Sequence, residues 1–255
     1  MLKTLEGIVL RARNYGDNDK IITVFSKTEG LFSFFAKGSR KIRSRFLNVL
    51  EPFTRAYFLY FKKKGLASLN QVDVIYTYNK LRKDLILTSY ASYWLEIVEK
   101  IQEYKIANQA FYNFILAALH KLEEGTDPEI LTLIVELKFI EQAGYKPVFK
   151  QCISCNCLEN LVSFAILQGG FLCRNCEEKF KKRFKETNFI IPLAAKSVYI
   201  FKVLQHINIA NLGKVFLSQK TKEQLKESLQ TFISQHLQFK SKAKKVLNEL
   251  VKLEC

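Results

Sequence analysis

The chain has 255 residues, 48% of them hydrophobic and 25% charged, and its 40 Lys+Arg face 24 Asp+Glu for a formal net charge of +16. Length and apolar content allow a buried core in one large domain or two modest ones, and exclude a disordered chain. No stretch reaches the uninterrupted apolar length of a membrane span, and Met1-Leu-Lys-Thr-Leu-Glu-Gly lacks the apolar core of a secretory leader, so the expected compartment is the cytosol. The positive excess is uneven: residues 1–80 hold 15 Lys+Arg against 6 Asp+Glu, more than half the net charge in the first third. A basic surface near the N-terminus, and a polyanionic partner for it, follow from that distribution.

From the N-terminus, Ile8–Arg13, Lys20–Lys27 and Leu31–Ala36 read as three short strands, separated by the polar turn Asn14-Tyr-Gly-Asp-Asn-Asp19 and a turn at Glu29-Gly30. Lys37 to Arg45 follows, with five cations and no anion in nine residues. A basic loop leaving a small sheet is the footprint of a phosphate binder, because clustered Lys and Arg gain most by displacing counterions from a polyanion. Val49–Phe61 and Leu66–Tyr78 are β-branched and aromatic, joined by the hairpin turn Lys62-Lys-Lys-Gly65. Five strands in about eighty residues predict a small closed barrel of the OB type, with an SH3-like barrel as the other solution to the pattern.

In an OB-fold the 1–2 and 4–5 loops flank the nucleic-acid groove. The candidate DNA-binding residues are therefore Lys37, Arg40, Lys41, Arg43 and Arg45 of the basic loop, with Lys62, Lys63 and Lys64 of the 4–5 loop. Asp17 and Asp19 in the 1–2 loop do not suit a polyanion and read as turn formers that hydrogen-bond backbone amides. The aromatics Phe32, Phe34, Phe35, Tyr57, Phe58, Tyr60 and Phe61 alternate, so one subset points into the barrel. The other points outward, where a ring beside a cation can stack an unpaired base.

After Lys80 the period turns helical: Leu81, Leu85, Leu87, Ser92, Leu95, Val98 and Ile101 share a face, and Ala107–Leu122 is a second amphipathic run. Thr126-Asp127-Pro128 starts a helix with a capping oxygen and a proline at the first helical position. Gly144 ends it as a left-handed residue, with Pro147 beyond. Pro192–Ile207 and Thr221–Leu237 read as further helices, and a short basic one ends the chain. The expected organisation is α+β: a five-stranded OB-fold barrel over 1–79, then a helical domain over 80–255 with a zinc-binding insertion at about 146–186.

Cys152-x-x-Cys155 and Cys173-x-x-Cys176 are separated by seventeen residues, a spacing that suits a four-thiolate zinc site. Between them Ser163–Leu167, Gln168-Gly-Gly170 and Phe171-Leu172 read as a hairpin folding the second pair onto the first. Four thiolates close the metal's shell, so the zinc is structural, and neither His120, His206 nor His236 lies nearby in sequence. Cys157 reads as a spare thiol just outside the knuckle, with ligand exchange in place of Cys155 as the open alternative, and Cys255 as idle. The basic run from Lys179 to Lys185, with Lys181, Lys182 and Arg183, follows the second pair. A solvated helix face and a secondary DNA contact both stay open for it. The cluster Lys240, Lys242, Lys244 and Lys245 is a weaker candidate still.

Gly7-Ile-Val-Leu, Tyr15-Gly-Asp-Asn-Asp19-Lys-Ile, Glu29-Gly30 and Ala36-Lys-Gly-Ser-Arg40-Lys together resemble the N-terminal domain of the RecO family of bacterial recombination mediators. Glu51-Pro52-Phe53, Tyr90-Ala-Ser-Tyr-Trp-Leu-Glu96, Gly144-Tyr145-Lys-Pro147 and the cysteine quartet carry the likeness on to about Leu193. The resemblance implies a DNA repair protein that binds single- and double-stranded DNA without sequence choice and anneals complementary strands. It also implies help in loading RecA onto strands coated by single-strand-binding protein, with RecR, RecF and the acidic C-terminal tail of that protein as partners. No nucleophile–base pair or phosphate-cradling glycine loop suggests an enzyme. Two rival readings are an RNA- or ribosome-binding barrel and a metal-dependent nuclease using Asp17, Asp19 and Glu51, which would have to converge on one metal pair.

Overall fold

A computed structural model of the chain describes residues 1–62, 64–102, 108–183 and 189–254. Its first part is five strands: β1 (Leu2–Tyr15), β2 (Asp19–Ser26), β3 (Gly30–Ala36), β4 (Thr54–Phe61) and β5 (Ala67–Thr77). They close into a barrel in the order β1-β2-β3-β5-β4. All neighbours are antiparallel except β3 and β5. That is the OB arrangement and not the SH3-like one. β1 is longer than its sequence pattern suggested because it serves two neighbours, β4 through Leu2↔Phe61 to Ile8↔Arg55 and β2 through Gly7↔Ser26 to Tyr15↔Asp19. Register shifts in the β1–β2 and β4–β5 pairs supply the bends that closure needs.

Alternate side chains of these strands fill the barrel: Leu5, Val9, Ile22, Val24, Phe34, Phe58, Tyr60 and Leu69 are buried together. Each contributes about 1.5–3 kcal/mol by leaving water. Val49–Phe53 is not strand, contrary to the sequence expectation. Asn48 and Phe53 take left-handed φ values of 63° and 65°, which no ladder accommodates. The apolar run there instead lowers Phe46 and Leu50 into the barrel core, with Phe53 buried as well.

The helices are α1 (Asn79–Lys83), α2 (Leu85–Gln102), α3 (Gln109–Glu123), α4 (Pro128–Gln142), α5 (Arg174–Arg183), α6 (Ala195–Leu204), α7 (Gln219–Leu237) and α8 (Lys242–Glu254). Among the described residues, no helix is long and apolar enough to cross a membrane. By compactness the chain divides into Met1–Glu124 with the chain from Lys242 onward, and Gly125–Ser241. This cut differs from the change of period at Lys80, because α1 to α3 and α8 belong with the barrel. Tyr112 of α3 donates to Glu6 of β1 at 3.3 Å, and Arg55 of β4 grips the same carboxylate at 2.5 and 2.9 Å. The basic last helix packs on α2, where Glu96 accepts the Ala243 amide at 3.1 Å and Lys244 reaches the Tyr93 hydroxyl at 3.0 Å.

The second unit is built on α4, which is buried over most of its circumference. Asp127 caps its start by accepting from Glu129 and Ile130 amides, with Pro128 at the first position. Gly144, at φ 91°, ends it: its amide bonds to Glu141 and that of Tyr145 to Ile140, the paired bonds of a Schellman close. A four-stranded sheet follows in the order β6-β8-β7-β9, from β6 (Val148–Cys152), β7 (Leu161–Ala165), β8 (Gly170–Cys173) and β9 (Ile190–Pro192). Phe149, Phe164 and Phe171 of this sheet pack with Phe201 of α6 and Phe232 of α7 at ring separations of 4.8–6.0 Å. Gly170 has no room for a side chain, since a Cβ there would lie 2.2 Å from Ile153 and 2.9 Å from the Val148 carbonyl.

Candidate nucleic-acid interface and metal centre

The chain leaves β3 at Ala36 and does not re-enter the sheet until Thr54. Local turns and distant anchors shape the segment between. The Asp19 carboxylate accepts the Gly38 amide at 2.7 Å, and the Arg40 amide donates to the Asn18 carbonyl at 2.9 Å. The Arg40 guanidinium donates to the Gly16 and Asp17 carbonyls at 3.1 and 3.0 Å. Lys20 pairs with Glu51 at 2.8 Å. At the far end, Arg82 of α1 donates to the carbonyls of Glu51 and Pro52 and to the Thr54 hydroxyl at 2.5–3.0 Å. Phe46 and Leu50 anchor the middle in the barrel core, and Arg45 lies over the Phe46 ring at 5.0 Å.

The backbone is therefore fixed while the cations face water: Lys37, Arg40, Lys41, Arg43 and Arg45 are all exposed. Lys62 and Lys64 are exposed too, and Lys63 lies outside the described residues. The 4–5 turn enters β5 beside Phe34, through Phe34↔Ala67, just before the chain leaves β3 towards Lys37. Both basic segments thus border the β3–β5 seam. Asp19 was expected to stabilise only its own turn; it also positions the basic loop. Arg82 was not anticipated at all, because its partners stand 28 to 31 residues earlier and no local pattern announces them.

Of the barrel aromatics, Phe34, Phe58 and Tyr60 lie in the core with Phe32 packed against it, whereas Tyr57 and Phe61 are exposed. Tyr15 had not been singled out. It is 56% exposed, beside the turn that holds Arg40, and the half-buried Phe35 meets it edge-on at 5.8 Å and 89°. The three carboxylates of the nuclease reading do not converge as a metal pair would require: Asp19 is bonded to Gly38 and Glu51 to Lys20. Among the described residues, the side chains grouped closely enough to hold a metal are cysteines.

That group is Cys152, Cys155, Cys157 and Cys173, whose sulfurs all lie within 4.8 Å of one another. The Cys155 and Cys173 sulfurs are 3.7 Å apart, matching the edge of about 3.8 Å for a tetrahedron with 2.3 Å zinc–sulfur bonds. The donor set fits a thiolate-bound metal. Cys157, expected to stand just outside, is inside the group. A left-handed Asn156 (φ 61°) turns the chain back, and the Cys157 carbonyl accepts the Cys152 amide at 2.8 Å. Gln151 holds the Asn156 side chain at 2.8 Å.

Cys176, in the first turn of α5, is buried against the same sulfurs. The Cys155 thiol is held down to about 6 by the Cys157 amide and then by hydrogen bonds from neighbouring thiols. Its bond to Cys155 pushes Cys157 up to about 12. For Cys176 a bond to Ser154 pulls down, but burial and the bonds to Cys155, Cys173 and Cys152 outweigh it, to about 12. Thiols converging on one point give up their protons when a dication binds. His120 packs tilted against Tyr76 and Tyr78 at ring separations of 5.1 and 4.9 Å, and His236 bonds the Ile166 carbonyl at 2.8 Å. Lys181 of the α5 basic run pairs with Glu177 at 3.0 Å, and Lys185, like Cys255, lies outside the described residues.

Comparison with known families matches residues 1–78 to "Recombination protein O N terminal" and residues 82–245 to "Recombination protein O C terminal". The chain belongs to the RecO family. It is 33% identical over 250 residues to the DNA repair protein RecO of Bacillus subtilis (strain 168), covering 98% of this chain and 95% of that one. The RecO proteins of Bacillus cereus (strain AH187), at 32% over the full length of both chains, and Shouchella clausii (strain KSM-K16), at 31% over 99% and 96%, are similar in the same way. The two family matches meet between 78 and 82, at the end of the barrel.

Proposed function

We propose that this RecO family member is a cytoplasmic, nucleoid-associated DNA repair protein, a recombination mediator that breaks no bonds. In this reading residues 1–79 are the nucleic-acid-binding domain. Single- and double-stranded DNA lie across the β3–β5 seam, held at their phosphates by Lys37, Arg40, Lys41, Arg43, Arg45, Lys62, Lys63 and Lys64. The observation that carries the reading is the basic loop itself. Its cations are exposed while its backbone is anchored by Asp19, Arg82, Phe46 and Leu50. A pre-ordered cationic surface binds a polyanion without the entropy of ordering itself at that moment. Contacts to phosphate carry no sequence information, so binding is indifferent to base order.

Strand annealing follows from screening. Two polyanions held on one basic surface lose much of their mutual repulsion, so complementary bases can meet and pair. The family resemblance extends this to loading RecA onto strands coated by single-strand-binding protein, with RecR, RecF and that protein's C-terminal tail as partners. Cys152, Cys155, Cys173 and Cys176 hold one structural zinc in the helical part, which fixes the fold of the knuckle without touching DNA. The test is a strand-annealing assay with Arg40, Lys41, Arg43 and Arg45 neutralised together. Loss of annealing along with DNA affinity supports the reading. Undiminished annealing, or a marked preference for matched RNA over DNA strands, overturns it.

A further inference from the structure

The spacing of the cysteines pairs four of them and leaves Cys157 over, yet the four sulfurs that lie mutually closest include Cys157 and omit Cys176. Cys157 is not brought there by a loose tail. The turn that delivers it is closed by the Cys152 amide on the Cys157 carbonyl at 2.8 Å and the Asn156 amide on the Cys152 carbonyl at 2.9 Å, and clamped by Gln151. The Cys157 sulfur donates to the Glu159 carbonyl at 3.4 Å and otherwise lies among the sulfurs of Cys152, Cys155 and Cys173, within 4.8 Å of each. Cys176 approaches the same three partners from α5. A tetrahedral ion takes four of these thiols and no more.

We propose that the metal centre is a four-place site served by five thiols. Cys152, Cys155 and Cys173 bind in every state, and Cys157 and Cys176 are interchangeable at the fourth place. The inference rests on the zinc reading above. When one arm of the shell detaches, the spare thiol is already within a few ångströms and closes the shell again before the ion escapes. Modification of either interchangeable thiol then leaves a complete four-thiolate set, whereas loss of any of the other three does not.

The test uses the full-length protein purified without chelator. Zinc content is measured by release to a chromogenic chelator, and the number of thiolates by the sulfur-to-cobalt charge-transfer band after cobalt exchange. Wild-type protein without metal would sink the zinc reading itself, so the two failures are separable. With metal in the wild type, C157S and C176S are each expected to retain about one zinc and a four-thiolate cobalt spectrum, while C152S and the C157S/C176S double variant are empty. An empty C176S beside an unchanged C157S overturns the proposal. Because C176S replaces a buried residue and can fail for reasons of folding, release kinetics supply a second measurement. C157S, altered at a partly exposed position, should surrender zinc to the chelator severalfold faster than wild type. Equal release rates overturn the proposal whatever C176S does.

Discussion

Two excursions from small sheets carry the proposed chemistry of this molecule, the basic loop after β3 and the knuckle between β6 and β7, and they are ordered by different means. The first is held from outside by Asp19 and Arg82, and from within by its own Phe46 and Leu50 side chains sunk in the barrel core. Its charged side chains take little part in that work, Arg40 excepted, and remain available to a ligand. The knuckle is turned by left-handed Asn156 and Asn160, and closed by thiols from β6, its own loop and β8 converging on a point. Its functional atoms are its structural atoms. A surface meant to bind something transient keeps its ligand-facing groups out of the scaffold; a site meant to stabilise spends them on it.

Metal removal should separate the two most sharply. Four-thiolate zinc sites supply free energy on the order of 10 kcal/mol to the structures they close. Stripping the metal, or Cys152→Ser, should therefore unfold the knuckle and lower the unfolding midpoint of the Gly125–Ser241 unit. The aromatic cluster of Phe149, Phe164, Phe171, Phe201 and Phe232 should limit the damage to β6–β9 and α5. Hydrogen exchange followed by mass spectrometry should show new exposure there and unchanged protection in β1–β5. Exposure spreading through the barrel would mean that the two excursions share one source of order.

Next in size is charge. If about five loop cations contact phosphates, a slope near −0.7 for each gives about −3.5 on a log–log plot of affinity against salt for single strands. Raising salt from about 50 to 200 mM should then weaken binding roughly a hundredfold. Neutralising Arg40, Lys41, Arg43 and Arg45 together should flatten the slope and weaken binding far more than the same change at Lys240, Lys242, Lys244 and Lys245. Lys244 already engages the Tyr93 ring at 4.5 Å, which removes it from the free cations of that cluster. The reverse ranking, by fluorescence anisotropy at fixed salt, would move the DNA off the barrel.

What the sequence made legible follows the same division. Strand alternation over most of β1–β5, the Asp127-Pro128 start and the Gly144 stop are local signals, and each appears where its pattern put it; the cysteine spacing located the cluster but not its membership. The long-range anchors left no such trace. Leu50 sits in a run whose apolar content imitated the start of a strand, Phe46 lies just before it, and no local pattern marks Arg82. The position of Cys157 was hidden for a different reason. The pattern of paired cysteines describes ligand spacing, whereas a single left-handed residue between two thiols decides where the third one points.

Arg82→Ala probes the anchors directly. It removes hydrogen bonds to the Glu51 and Pro52 carbonyls and to Thr54; the Glu51 carbonyl keeps the Thr54 hydroxyl at 2.8 Å, while the Pro52 carbonyl loses both bonds from the guanidinium. A charged donor lost from such a site costs about 1.5–3 kcal/mol. Thermal or denaturant unfolding should register that loss in the barrel unit, with a smaller drop in DNA affinity as the segment up to Thr54 loosens. Arg82→Lys, a point charge without the guanidinium fork, should recover only part of it. Unchanged stability would show that Phe46 and Leu50 hold the segment alone.

The smallest effect expected, and the most selective, belongs to Tyr15. Phosphate contacts do not distinguish paired from unpaired strands, but a ring can stack only on a base that is free of its partner. Tyr15 presents its open side to water while Phe35 supports it edge-on, and Arg40 is bonded to the two residues that follow it. A base reaching this ring would have its phosphates within the field of the loop. Stacking is worth about 1–3 kcal/mol per base, so Tyr15→Ala should weaken single-strand binding by roughly tenfold or somewhat more. Duplex affinity and the salt slope should stay as they were, because no cation is lost. Tyr15→Phe should bind normally, the π-face being intact. An equal loss for single and double strands would make Tyr15 a prop for the basic loop, and any stacking of unpaired bases would fall to the exposed Tyr57 or Phe61 instead.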